Sequence, residues 1–184
     1  MTLRMPWRVA KFSGVLLVSI ASTPRAAYSQ SARVEAEGVL KGADDARILL
    51  AVRSLATRLR ESRGLLGAGA DDEELVASAS ALYAGVPAKG IARLAAAQRQ
   101  RMSDAAATSL SMPLTVLAEL ASARVPSEVA LSSVDALLAR GARDVDFRAF
   151  SGAVARDLRT GRAPHDAVST SVQSTLRTIG RPPD

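Results

Sequence analysis

Apolar residues recur three and four positions apart along most of this chain, and that spacing constrains the fold more than any other feature. Ile48, Val52, Leu55 and Leu59 form one stripe, Ala130, Val134, Leu137 and Leu138 a second, and Val168, Val172, Leu176 and Ile179 a third. A period near 3.6 puts each set on one face of an α-helix. A half-buried strand needs sustained alternation of apolar and polar residues, which no segment offers. Ala, Leu and Arg, all strong helix formers, fill the positions between. The expected fold is all-α. Its 36 alanines favour close helix packing, because small side chains let backbones approach. Burying a Leu or Ile contributes roughly 1.5–3 kcal/mol and an Ala much less. Leu137, Leu138, Val134, Leu117, Leu120, Ile48 and Val52 are therefore expected to carry much of the core.

The helix breaks are regular. Pro87, Pro126 and Pro164 each follow a short dipeptide, Gly85-Val86, Arg124-Val125 and Arg162-Ala163, at spacings of 39 and 38 residues. Proline suits a first helical position, where its missing N–H would find no partner anyway. Glu128 and Asp166 stand two residues later, at the positive end of the helix dipole. Asp44 takes the same role ahead of Ile48 and Val52. Second helices open at Asp71-Asp72-Glu73-Glu74, where Asp71 and Glu74 can form a capping box, and at Ser111-Met112-Pro113. Gly141-Ala142-Arg143-Asp144 precedes a third, running from about Val145 to Arg159. The reading is one all-α domain over residues 30–180, followed by a flexible tail at 181–184. It is built of tandem helical hairpins of about 40 residues, stacked as a short α-solenoid-like array or closed into a helical bundle. The signatures of tetratricopeptide and ankyrin repeats are absent.

The first 29 residues read as an address. Arg4, Arg8 and Lys11 precede an uncharged run from Phe12 to Pro24 with its apolar heart at residues 15–20. Small residues follow, and Ala27-Tyr28-Ser29 sets up cleavage before Gln30. These are the parts of a secretory signal peptide of the general route. The run is shorter than the roughly 20 apolar residues a spanning helix needs. Four basic residues and no acid lie within 1–29, so excision lowers the net charge from +6 to +2. The strongly basic character of the whole chain thus belongs mostly to the export segment. The expected location is periplasmic or extracellular. A chain with no Cys must hold together there without disulfides.

Catalytic motifs are wanting. His165 is the only His, set in the first turn of the last helix, and with no Cys present carboxylates alone would have to complete a metal site. Four consecutive acids at 71–74 splay around a helix instead of converging on an ion. Asp144-Val145-Asp146 lacks the Gly and terminal Glu of a calcium loop. Capping and dipole compensation account for both clusters. Gly67-Ala68-Gly69 has only the first two glycines of a dinucleotide fingerprint and follows a helix. Ala88-Lys89-Gly90 has no Ser or Thr after it. No Gly-x-Ser-x-Gly occurs, and the export-processed chain has no Trp platform for glycans. No catalytic residue, metal ligand or cofactor site is expected.

The expected function is that of an exported, non-catalytic interaction or structural module of the bacterial cell envelope, with an envelope protein as partner. The alternative is peripheral binding to an anionic membrane or lipopolysaccharide surface, using Arg53, Arg60 and Arg63 from a set that also includes Arg58, Arg93, Arg99 and Arg101. An envelope enzyme ranks below both. Nucleic-acid binding is disfavoured by the export signal and the lack of stacking aromatics. Leu110, Met112, Leu114 and Leu117 lie in an uncharged run from Ala105 to Ala118 and are expected to be core. If exposed, they become the first candidates for a partner-facing surface.

Overall fold

The computed structural model describes residues 44–102 and 109–179. The expected signal segment at 1–29, the expected flexible tail at 181–184 and residues 105–108 of the uncharged run lie outside the described residues. Those described form seven helices and no strand: α1 Asp45–Leu66, α2 Asp72–Tyr83, α3 Ala88–Met102, α4 Ser111–Ser122, α5 Ser127–Ala139, α6 Asp144–Arg159 and α7 Pro164–Thr178.

Local chemistry sets the boundaries. The Arg47 N–H donates to the Asp44 carboxylate at 2.8 Å, opening α1. The Glu74 N–H donates to Asp71 at 2.8 Å while the Asp71 N–H donates to Glu74 at 3.4 Å, so the capping box forms at α2. One turn closes four helices. After α2, the Val86 N–H reaches the Ala81 carbonyl and the Gly85 N–H the Leu82 carbonyl, at 3.0 and 3.1 Å. The same pair of bonds recurs at Arg124-Val125, Gly141-Ala142 and Gly161-Arg162. Each first residue is left-handed, with φ of 95°, 61°, 73° and 84° along the chain. This is a Schellman turn, and Val86, Val125 and Ala142 bury their side chains just after it. Arg162 stays exposed and pairs with Asp157 at 2.6 Å.

That turn corrects the proline register. Pro87 and Pro126 are the cap residues themselves, their carbonyls accepting from Ile91 and Ala130. In the third unit the cap is Ala163, and Pro164 is the first helical residue. Ala167, not Val168, is therefore the counterpart of Ile91 and Ala130, and both Ala167 and Val168 are buried.

The helices pack in two rows. α1, α3, α5 and α7 follow one another in the first, α2, α4 and α6 in the second, and α1/α2, α4/α5 and α6/α7 join the rows. The ends of α1 and α3 coincide, as do the starts of α2 and α4, so each of these pairs runs parallel. Glu74 at the start of α2 meets Leu110 at the start of α4, and Arg99 late in α3 meets Leu66 at the end of α1. Each helix packs on the next but one, a pattern consistent with a stacked array and with a helical bundle. The core between the rows holds Leu75, Ile91, Leu94, Leu114, Leu117, Val134, Leu137, Phe147, Phe150 and Val168. Gly90 allows α3 and α5 to close up, since a Cβ there would press into Leu131.

Of the seven expected core residues, Leu117, Leu120, Val134, Leu137 and Leu138 are buried. Ile48 and Val52 are only half-buried, beside exposed Leu49 and Leu50. α1 has 22 residues against 12 in α2 and 15 in α3, and its buried positions are confined to Leu59, Ser62 and Leu66. A periodic stripe marks an amphipathic helix but not how far its neighbours extend along it.

Candidate functional site

Most of the charged residues singled out by sequence hold the fold together. Arg63 is half-buried, and its guanidinium donates to the Ala68 and Ala70 carbonyls at 3.4 and 3.0 Å, closing the Gly67–Ala70 turn. Arg99 donates to the Leu66 carbonyl at 2.8 Å, and Arg101 pairs with Asp135 at 3.0 Å. Arg58 stacks 4.6 Å from the centre of the Tyr83 ring. Arg53 and Arg60 are exposed. The expected Arg53, Arg60 and Arg63 patch thus has two solvent-facing members and one committed to a turn.

The remaining candidates fall in local roles. His165 is exposed, with Nδ1 3.5 Å from Asp166. Asp146 accepts from the Arg143 N–H at 2.8 Å and caps α6. Gly90 is buried against Leu131. Among the described residues no group of three His, Cys, Asp or Glu converges as metal ligands would, and no helix is long and apolar enough to cross a membrane.

Leu110, Leu114 and Leu117 are buried, as the uncharged run implied. Met112 departs from them: it is half-buried and reaches a groove of about 1020 Å³ between α2 and α4. The groove is also lined by Asp72, Glu73, Val76, Ala77, Ser80, Tyr83 and Ala84 from α2 and the loop after it. Ser111, Thr115, Ala118, Glu119, Ser122 and Ala123 line it from α4 and its end. Its lining is small because α2 presents Ala77 and Ser80, α4 presents Ala118 and Ser122, and Ala84 and Ala123 follow the two helices. Tyr83, 74% exposed, rims it. A smaller cleft between α1 and α2 shares Val76, Ser80 and Tyr83 and brings in Leu55, Arg58 and Leu59.

The described lining of the groove is acidic: among the described residues Asp72, Glu73 and Glu119 line it and no Lys, Arg or His does, with Arg58 held over the Tyr83 ring beside its rim. The last turns of α2 and α4 contain no basic residue. Their negative dipole ends therefore go uncompensated within those turns, at the same end of the groove. Glu119 accepts the Ser151 hydroxyl of α6, which fixes its position on the groove wall. Sequence reading placed Asp72 and Glu73 only as dipole partners and missed the groove. The signal was there in small residues three and four apart on α2 and α4, but only tertiary pairing shows that the two helices adjoin.

Comparison of the chain with protein-family models, with curated proteins and with solved structures gives no match.

Proposed function

We propose that this chain is an exported, non-catalytic interaction module of the bacterial cell envelope that holds a protein partner in the groove between α2 and α4. The groove carries the reading. It is roomy, floored with small side chains, and edged by an exposed tyrosine and an adaptable methionine, a combination suited to protein contact. The export part rests on the basic, apolar and small-residue segments of 1–29. The non-catalytic part rests on a sequence with one His and no Cys.

Photo-crosslinking in the producing cell tests it. A benzophenone amino acid replaces Met112 or, as a control on another face, Ser132. The expected result is a discrete adduct from position 112 only, lost when Ala118→Arg fills the groove floor. Equal labelling from both positions, or adduct formation indifferent to Ala118→Arg, would overturn the reading. N-terminal sequencing of the exported protein is expected to begin at Gln30, and an intact Met1 would remove the export part.

A further inference from the structure

We infer that the occupant of this groove is a basic amphipathic helix of about three turns, an inference that rests on the groove being the contact face. Length comes first. The lining residues run from Asp72 to Ala84 on one side and from Ser111 to Ala123 on the other. At 1.5 Å per residue each side is about 18 Å long, the length of a twelve-residue helix. Shape agrees with length, because α2 and α4 are parallel and their small residues leave a straight valley for a third helix to lie in. Val76, Tyr83 and Met112 ask for an apolar stripe on the occupant.

Charge decides the rest. An occupant in this valley meets Asp72 and Glu73 at one end, Glu119 further along, and two helix C-termini without basic residues in their last turns at the other. Arg124 follows α4 but does not line the groove. Lysines or arginines flanking the apolar stripe are attracted by Asp72, Glu73, Glu119 and the two helix ends, which together outweigh Arg58 held over Tyr83. An acidic helix or an anionic lipid surface is repelled.

Fluorescence anisotropy with the purified full chain tests this. The probe is a labelled 14-residue synthetic helix with Leu on one face and Lys elsewhere, set against a twin in which every Lys is Glu. The Lys peptide is expected to bind about tenfold or more tighter than its twin, and to weaken as salt is raised. Ala118→Arg is expected to abolish binding. Glu73→Lys with Glu119→Lys is expected to reverse the preference, while Arg53→Glu with Arg60→Glu leaves it unchanged. Circular dichroism melts verify that each variant is folded. Equal binding of the twins, binding indifferent to Ala118→Arg, or self-association that fills the groove with a second copy would overturn the inference. Sequencing the segment crosslinked at position 112 separates the two levels. An acidic or uncharged segment there sinks the charge inference and leaves the contact face standing, whereas absence of a specific adduct sinks the face itself.

Discussion

The Glu74 carboxylate accepts the Leu110 backbone N–H at 2.7 Å and the Ser109 hydroxyl at 3.2 Å, and its other oxygen accepts the Asp71 N–H at 3.4 Å. One side chain thus serves the first turns of two helices. Leu110 caps α4 with no side-chain hydrogen bond of its own, so the carboxylate from α2 supplies what its sequence lacks. It also fixes α2 and α4 in register at the end of the groove.

Glu74→Ala is expected to lower stability by about 1.5–3 kcal/mol, because a charged acceptor is removed from a partly buried N–H. Glu74→Gln keeps an acceptor and is expected to lose less. Urea denaturation of the two variants and the parent measures the difference. Equal midpoints for all three would show that the carboxylate holds neither helix.

Arg124 occupies a left-handed backbone position that glycine fills in the equivalent turns at 85, 141 and 161. A side chain there costs roughly 1–2 kcal/mol. Arg124→Gly is expected to recover about 1 kcal/mol of it, the rest being offset by the extra freedom of glycine in the unfolded chain. That raises the melting temperature by about 2–4 °C. Arg124→Val, β-branched, is expected to lower it. Thermal melts of both variants decide the sign.

Gly90 and Leu131 form a single packing unit. A Cβ at 90 would lie 3.0 Å from one Leu131 methyl and closer to the other. Alanine's helix propensity favours Gly90→Ala by about 1 kcal/mol, while overpacking costs about 1–3 kcal/mol. Gly90→Val adds more bulk and is expected to be destabilising by about 1–3 kcal/mol. Combined with Leu131→Ala it is expected to be less damaging than the two single changes added together, by 0.5 kcal/mol or more on the scale of about 0.5–3 kcal/mol usual for contacting pairs. Additive losses would mean that the helices do not meet at these residues.

What sequence could and could not show divides along the range of the interaction. The Asp71–Glu74 box, the Asp44 cap and the apolar faces of α5 and α7 depend on neighbours within a turn or two, and they are readable as patterns. Glu74 meeting Leu110 and Arg99 meeting Leu66 span 36 and 33 residues, so sequence placed Glu74 only in its own helix cap and Arg99 only in a basic set. The Pro164 offset arises because the Schellman turn before it is set by Gly161, one residue earlier than the proline suggests. Met112 looks like Leu110, Leu114 and Leu117 in a string of letters. It differs only because its position turns toward the valley beside α2, and the parallel pairing of α2 and α4 is a tertiary fact.

Arg99 tests whether the helices behave as an array. Its guanidinium holds the last carbonyl of α1 at 2.8 Å and links the ends of α1 and α3. Arg99→Ala removes a charged donor from that helix end, at a cost of about 1–2 kcal/mol. In a stack whose helices touch only near neighbours, that loss stays local. Hydrogen exchange is expected to quicken over residues 59–70, where Leu59, Ser62 and Leu66 are buried, and to be unchanged in α6 and α7. The reason is topological, since α6 and α7 pack on α4, α5 and each other and make no main contact with α1. Faster exchange spread evenly over all seven helices would instead mean that the chain opens as one closed, cooperative bundle.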